Sequence, residues 1–415
     1  MSIARARIVS LTVVAIVFAL VAAASATDKQ AILFSFSGKA AGNTPMGGLV
    51  ADAAGNLYGT TSYGGANISQ CLWSTKGCGT VFELSPGSSG AWTETILYNF
   101  TGGSDGGIPI GSLIFDAKGN LYGTTARGGN TSSSGTVFEL SPSSSGGWTE
   151  TTLHIFTGAP DGQGPVAGLA MDAKGNLYGT TLYGGVDDCN TLPCGTVFEV
   201  SPNSDGTWTE TVLHAFMGPD GYWPQSNLTF DTVGNLYGTT TRGGADDNGE
   251  VFSLSPSSRG WTLNIVHSFG NSGGDGRGPQ SGVIFDFEGN LYGTTLGGND
   301  NNGTVFELTP TGSFPWTETV LYQFANGSDS AWPSSSLTLD RWGNLYGTTI
   351  IYLNPAIAFK ISSASTGRVF TVLHVLPGAS VAPLIRDAAG NLYGTTENGG
   401  VRSDSGTVFE LSSVK

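Results

Sequence analysis

The sequence predicts an all-β protein, a seven-bladed β-propeller whose blades each contain four antiparallel strands. The chain of 415 residues has 64 Gly and 18 Pro, which disfavours long helices, whereas 39% hydrophobic residues suffice for a large core and argue against disorder. The sequence Gly-Asn-Leu-Tyr-Gly-Thr-Thr occurs seven times, and a period of this length is typical of propellers and other repeat folds. The copies begin at Gly55, Gly119, Gly175, Gly234, Gly289, Gly343 and Gly390.

Each repeat contains four β-rich runs, which we name strands A to D in chain order. In the second repeat these runs are residues 112–116, 121–125, 135–140 and 148–156. The turn between strands A and B is Asp-x-x-Gly-Asn in every repeat. This turn is typical of a hairpin, because Asp bonds the backbone two residues on and Gly accepts a positive φ. We therefore interpret the repeated Asp as part of the scaffold.

The two ends of the chain predict how the ring closes. Residues 32–36 match a D strand, whereas the last β-rich run, residues 406–411, matches a C strand. The N-terminal strand is therefore expected to complete the last blade, which leaves only short protected edges in a single domain of residues 27–415. An open solenoid is the alternative, and it would leave the N-terminal strand unpaired.

The N-terminus resembles a secretory signal peptide. Arg5 and Arg7 precede an apolar run of residues 8–24, and an Ala-Ser-Ala sequence ends at Ala26. A retained membrane helix is the alternative, but it needs about 20 apolar residues. Cleavage after residue 26 removes two arginines and no acid, so the formal charge changes from −15 to −17. We expect a monomer, secreted to the periplasm or outside the cell, that has no membrane span after cleavage and does not bind nucleic acid.

Four cysteines fit an oxidising compartment. Cys71 and Cys78 are close in sequence, as are Cys189 and Cys194, and the second of each pair directly precedes Gly-Thr-Val-Phe-Glu. We predict the two local disulfides Cys71–Cys78 and Cys189–Cys194. A metal site is the alternative, but neither pair has CxxC spacing or a nearby histidine.

The repeat also resembles a known family. Asp-x-x-Gly-Asn-Leu-Tyr-Gly-Thr-Thr, followed by Gly-Gly and then by Gly-Thr-Val-Phe-Glu-Leu, is similar to the GloVer tandem repeat, named for Gloeobacter and Verrucomicrobia and found in exported bacterial proteins. The resemblance covers nearly the whole chain after the signal segment and implies export. It implies no particular activity and transfers no catalytic residue.

One face of the predicted propeller is the better candidate for recognition. The D-to-A and B-to-C connections emerge on the same face, which we name the loop face, and they differ between repeats in length and chemistry. The connections on the opposite face are short or uniform. Variable loops on a repeated scaffold are where binding residues are usually found.

Five D-to-A loops contain an aspartate four residues before a proline. One interpretation is a turn aspartate that caps its own loop. The other is a partial ring of carboxylates at the channel mouth, able to attract cations or sugar hydroxyls. We predict no metal or cofactor, because Ca²⁺ takes about six to eight oxygens and one Asp per loop is too few unless several loops converge. The residues are Asp105, Asp161, Asp220, Asp275 and Asp329.

Four aromatic residues on the loop face lie off the repeat positions. They are Trp73, Tyr222, Trp223 and Trp332. Each could stack on a sugar ring or anchor a protein partner, or could instead fold under a neighbouring loop. We treat all four as candidate ligand-binding residues.

The sequence contains no recognised catalytic motif. No Gly-x-Ser-x-Gly nucleophile elbow, which needs a strand-to-helix turn, is expected in this all-β chain, and His-Glu-x-x-His is absent. The four histidines share a D-strand position that other repeats fill with Phe or Tyr, which indicates a structural role. We therefore predict a binding or structural module that recognises an extracellular glycan or protein through its loop face. The alternative is a polysaccharide hydrolase or lyase that uses two channel-mouth carboxylates as acid and base. The histidines are His154, His214, His267 and His374.

Overall fold

The computed structural model describes residues 29–66, 71, 74–130, 132–144, 146–186, 189, 193–270, 274–298, 302–325, 329–350, 355–364, 367–400 and 404–412. The predicted signal segment and Trp73 lie outside these residues. Within the described ranges, no helix is long and apolar enough to cross a membrane.

The described chain forms seven antiparallel blades, as predicted, and one additional two-stranded sheet. Strands A to D of blades one to three are Val50–Ala51, Leu57–Thr61, Thr80–Pro86 and Trp92–Asn99; Ile114–Phe115, Leu121–Thr125, Thr136–Pro142 and Trp148–Ile155; and Ala170–Met171, Leu177–Thr181, Thr196–Pro202 and Trp208–Ala215. Those of blades four and five are Thr229–Phe230, Leu236–Thr240, Glu250–Ser257 and Gly260–Ser268, then Ile284–Phe285, Leu291–Thr295, Thr304–Thr309 and Thr317–Gln323. Those of blades six and seven are Thr338–Leu339, Leu345–Ile350, Ile357–Ala364 and Gly367–Val375, then Ile385–Arg386, Leu392–Thr396, Thr407–Ser412 and Lys29–Ser35.

Short elements accompany the blades on the loop face. Gly162–Gln163 pairs with Tyr183–Gly184, Ala331–Pro333 pairs with strand B of the sixth blade, and Lys39–Ala41 forms a 3₁₀ turn. The first pairing ties a D-to-A loop to a B-to-C connection, and the second ties a D-to-A loop to the end of strand B, so both hold loops in place on this face.

The N-terminal strand closes the ring as predicted. Lys29–Ser35 pairs antiparallel with Thr407–Ser412, with Lys29 opposite Ser412 and Ser35 opposite Thr407. The seventh blade therefore combines both ends of the described chain. The open solenoid is wrong, because the strand that it would leave unpaired has a full partner.

The A-to-B turn shows why Asp recurs in every blade. Asp116 Oδ1 accepts hydrogen bonds from the backbone N–H groups of Lys118 (2.8 Å) and Asn120 (2.9 Å), and Oδ2 accepts from Asn120 Nδ2 and Tyr122 Oη. Burial alone would raise the pKa of Asp116, but these hydrogen bonds lower it overall. Gly119 has φ +87°, which a side chain would disfavour. The same Asn and Tyr bonds occur in the other six turns, which supports a scaffold role.

The core lies between neighbouring blades. Tyr58 of the first blade meets Trp148 of the second edge to face, with ring centroids 6.4 Å apart, and it also contacts Phe115. Phe100 contacts Phe138 at 5.1 Å across the same junction. These aromatic contacts show that the repeated Tyr, Phe and Trp pack blade against blade.

Candidate binding face

One repeat position contributes a side chain from each blade to the lining of the channel mouth. In six blades this residue follows the proline of the D-to-A loop, and in the seventh Val381 takes the same place. The cavity has a volume of about 270 Å³. In blade order, the residues are Met46, Ile110, Val166, Gln225, Gln280, Ser334 and Val381.

These seven residues divide the channel mouth into two halves. At this position blades seven, one, two and three have apolar side chains, which we name the apolar arc. Blades four, five and six contribute Gln225, Gln280 and Ser334, which we name the polar arc. The four blades of the apolar arc follow one another in the ring, and so do the three blades of the polar arc. The channel mouth therefore has one polar side and one apolar side.

A second cavity of about 470 Å³ adjoins the polar arc, and we name it the polar-side cavity. Three successive blades contribute to it: Arg242 follows strand B of the fourth blade, Arg277 lies in the loop that enters the fifth, and Trp332 lies in the loop that enters the sixth. Gln280 lines both this cavity and the channel mouth, so the two spaces are neighbours. The remaining lining residues are Thr241, Asn248, Gly278, Leu296 and Gly297.

Arg277 owes its position to a glycine. Its backbone pairs with Gly297 through two hydrogen bonds of 3.0 and 2.9 Å. A Cβ atom on residue 297 would lie 2.6 Å from Arg277 Nε, too close for two nonbonded atoms. At the corresponding position the first four blades have Tyr63, Arg127, Tyr183 and Arg242. The loss of that side chain in the fifth blade leaves the space in which Arg277 lies.

A third cavity of about 510 Å³ adjoins the apolar arc through Ile110 and Val166. Tyr63, Arg127 and Tyr183 from the B-to-C connections also line it. All three cavities lie on the loop face. The geometry of this face therefore offers concave binding space both at the channel and to either side of it.

The structure separates the aromatic candidates. Trp332 lines the polar-side cavity, whereas Tyr222 is buried and donates a 2.8 Å hydrogen bond from Oη to Asp247 Oδ1. Trp223 contacts Tyr222 at 5.1 Å, and both pack into a cluster that includes Phe216. Only Trp332 of these three therefore lines one of the cavities.

Trp332 has an unusual backbone conformation. Its φ is +60°, and Trp223, Ile108 and Thr44 at the same loop position have φ between +57° and +59°. This left-handed region is unfavourable for bulky side chains, and strained residues of this kind tend to cluster at binding sites. The following proline and the pairing of Ala331–Pro333 with strand B hold Trp332 in place.

The five loop aspartates do not form a ring at the channel mouth. Asp161, for example, accepts hydrogen bonds from the Thr157 backbone N–H (2.9 Å) and hydroxyl (3.0 Å), and it lies 3.3 Å from His154 Nε2. Each of the five pairs in this way with the start of its own loop and with a ring on strand D, the outermost strand. They therefore cap their loops, and none lines the three cavities. The ring partners are Tyr98 for Asp105, His154 for Asp161, His214 for Asp220, His267 for Asp275 and Tyr322 for Asp329.

Two groups at the rim could offer three ligand atoms to a metal ion. Within the described part of the chain, His154, Asp161 and Glu210 bring these atoms within 4.8 Å of one another, and so do His267, Asp275 and Glu318. In each group the Glu comes from strand D of the next blade. Burial, and then the charge of Asp275, raise the pKa of Glu318. A proton that Glu318 retains can therefore form a hydrogen bond to Asp275 and reduce the negative charge of the second group without a metal ion.

Both predicted disulfides are present. Cys71 bonds Cys78, and Cys189 bonds Cys194, with Cα atoms 5.3 and 5.4 Å apart. Each closes a B-to-C connection on the loop face. Disulfides of this kind fit an extracellular or periplasmic protein.

Comparison with known proteins shows the family. The pattern described as the Gloeobacter/Verrucomicrobia repeat matches residues 15–192, 72–295 and 261–415. The chain belongs to the Gloeobacter/Verrucomicrobia repeat family. This is the family that the sequence resembled. None of the curated proteins matches this family member.

Solved structures similar to this Gloeobacter/Verrucomicrobia repeat protein support its architecture. A protein from Lactobacillus plantarum has a TM-score of 0.52 and 15% identity, over 81% of this chain and 86% of that one. A 6-phosphogluconolactonase candidate from Bacteroides uniformis has a TM-score of 0.50 and 16% identity, over 77% and 85% of the two chains. At such low identity the similarity shows the fold alone.

Proposed function

We propose that this protein is an exported, monomeric binding module that recognises an extracellular glycan at its loop face. The observation that carries the proposal is the polar-side cavity, in which Trp332 lies beside the hydrogen-bonding groups of Gln280 and Thr241. An aromatic wall with a few directed polar groups is the usual construction of a small-ligand site. Export is supported by the signal-like residues 1–26, by the two disulfides and by the family.

The shape of the face favours a glycan over a protein partner. Stable protein interfaces bury about 800 Å² on each partner around a hydrophobic centre. The loop face instead has separate concave cavities, and the one that contains Trp332 has a volume of about 470 Å³. A volume in this range accommodates a small ligand or a short stretch of a polymer.

The alternative of a hydrolase or lyase draws less support from the geometry. It needs an acid and a base on either side of a scissile bond, about 5 to 9.5 Å apart. The five loop aspartates are engaged at the outer strands, and no Asp or Glu in the described ranges lines the three cavities. This distribution of carboxylates favours binding without cleavage.

Affinity electrophoresis of the exported protein against a panel of polysaccharides tests this proposal. The informative variant is Trp332→Ala, and the matched control is Trp342→Ala, because Trp342 is exposed on the opposite face at an A-to-B turn. The proposal expects retardation that Trp332→Ala loses and Trp342→Ala keeps, without released reducing ends or unsaturated products. Product release would establish the enzyme alternative, and a panel without any retardation would contradict glycan binding.

A further inference from the structure

The charge of the polar-side cavity is opposite to that of the protein. The chain has 32 acidic and 17 basic residues, yet among the residues that the structure describes, two arginines and no Asp or Glu line this cavity. A local positive site in an acidic protein concentrates anions where the rest of the surface repels them. We propose that the polar-side cavity binds an acidic sugar, whose carboxylate or sulfate is held by Arg242 and Arg277 while its ring lies against Trp332. This inference rests on the proposed glycan-binding function.

Arg277 occupies its place through a specific pair of residues. At the loop position of Arg277, the first four blades have Asn43, Gly107, Gln163 and Tyr222. Of the first five blades, only the fifth therefore carries a cation there. The same blade has Gly297 in the facing position, where a Cβ atom would contact Arg277 Nε. The cation and the space for its side chain therefore occur together in one blade.

Arg242 is oriented by a neighbouring carboxylate on its own connection. Its Nη1 donates to the backbone oxygen of Asp247 at 3.4 Å and lies 3.9 Å from Asp247 Oδ2. Asp247 is itself held by Tyr222 Oη (2.8 Å) and by the backbone N–H of Gly243 (3.0 Å). About half of the Arg242 side chain stays exposed, so this ion pair is a weak competitor for a ligand anion.

The chemistry of the lining suits a charged sugar. Guanidinium groups bind carboxylates and sulfates through parallel charge-assisted hydrogen bonds. Trp332 offers an aromatic surface for a pyranose ring, and Gln280 and Thr241 offer an amide and a hydroxyl for sugar hydroxyls. One site therefore combines anion recognition with recognition of a sugar ring.

The cavity beside the apolar arc provides a matched control. Arg127 holds the repeat position of Arg242 in the second blade, but its surroundings include Ile108, Leu182 and two tyrosines. Among the described residues, Arg127 is the one cation that lines this cavity. Replacing Arg127 therefore removes one positive charge from the same face without touching the polar-side cavity.

Affinity electrophoresis with four polymers tests the inference. Polygalacturonate carries a carboxylate on each sugar, its methyl ester lacks the charge, dextran sulfate carries sulfate, and dextran is neutral. The proteins are wild type, Arg242→Gln/Arg277→Gln and Arg127→Gln, in about 0.15 M salt to screen weak surface attraction. We expect the affinity of the double variant for the charged polymer that wild type binds to fall at least tenfold. The affinity of Arg127→Gln for the same polymer should stay within twofold of wild type.

The polymers separate the possible outcomes. Loss of polygalacturonate binding on esterification, together with loss in the double variant, supports a carboxylated sugar. Binding of dextran sulfate alone, lost in the same variant, supports a sulfated sugar. The inference is overturned if neither charged polymer binds, if the ester binds as tightly as polygalacturonate, or if Arg127→Gln loses as much affinity as the double variant. Binding of a neutral glycan that Trp332→Ala abolishes would still support the proposed function.

Discussion

Thr395 Oγ1 donates a hydrogen bond of 3.2 Å to the backbone oxygen of Gly47, and this bond joins the last blade to the first. It is one of seven of the same kind. In each blade the first threonine of Gly-Thr-Thr donates to a carbonyl in the channel-lining segment of the next blade, so a buried circle of hydrogen bonds surrounds the channel. The other six run from Thr60 to Gly111, Thr124 to Ala167, Thr180 to Ser226, Thr239 to Ser281, Thr294 to Ser335 and Thr348 to Ser380.

Thr395→Val removes the hydroxyl at the closing joint and keeps the shape of the side chain. We expect the free energy of unfolding to fall by about 1 to 3 kcal/mol, because the buried Gly47 carbonyl loses a donor. Urea unfolding followed by tryptophan fluorescence measures the change. The control is Thr93→Val on an exposed strand position, where about 0.5 kcal/mol or less is expected. Equal effects of the two variants would show that the joint contributes no more than a surface position.

Removal of the N-terminal strand tests how the ring closes. A chain that begins at Ser37 lacks Lys29–Ser35 and the buried Phe36, so the seventh blade loses its outer strand. We expect loss of cooperative thermal unfolding and association into larger species, because the edge of Thr407–Ser412 becomes unpaired. Calorimetry and size-exclusion chromatography measure both effects. A monomer with an unchanged melting temperature would refute ring closure by this strand.

Glu94 makes stability depend on pH. Burial raises the pKa of Glu94 to about 8, and its Oε1 has no hydrogen-bond partner among the described residues. The folded protein keeps a proton that the unfolded chain releases near pH 4.5, so the stability present below pH 4.5 declines as pH rises towards 8. Glu94→Gln removes this ionisation, and Gln30 occupies the same strand position in the last blade. We expect the variant to melt higher than wild type at pH 8 and equally at pH 4.5. If the difference in melting temperature between the variant and wild type is the same at both pH values, titration of Glu94 does not affect stability.

Gly297→Tyr restores the residue that two other blades have at this position. The new side chain would occupy the space of Arg277 and narrow the polar-side cavity. We expect affinity for the bound glycan to fall at least tenfold, with little change in melting temperature. Arg127→Tyr introduces the same residue at the same repeat position of the second blade, and it should keep affinity. Full affinity in Gly297→Tyr would place the ligand elsewhere.

Features that recur in every blade could be read from the sequence. The strand runs, the Asp-x-x-Gly-Asn turn and the spare D strand at the N-terminus were sufficient to predict the blades and their closure. A loop aspartate paired with a ring seven residues earlier, as Asp105 is with Tyr98, could be interpreted either as a cap or as a ligand. The choice depends on where strand D lies, and that is a property of the whole blade.

The candidate site itself depends on contacts between blades, which local patterns do not reveal. Arg242, Arg277 and Trp332 are far apart in sequence, and the ring brings them to one cavity. Trp223 and Trp332 hold the same position before a proline, yet one packs on Tyr222 and the other lines the cavity. A usable signal was the residue after each loop proline, whose change from apolar to polar marks the fourth to sixth blades.

A crystal structure of residues 27–415, soaked with an oligosaccharide of the polymer that retards the protein most, tests the central claim most directly. The account predicts a sugar ring against Trp332, in the cavity that Arg242 and Arg277 line and beside Gln280 at the channel mouth. A sugar bound on the opposite face, or at the rim beside His267 and Asp275, would contradict it.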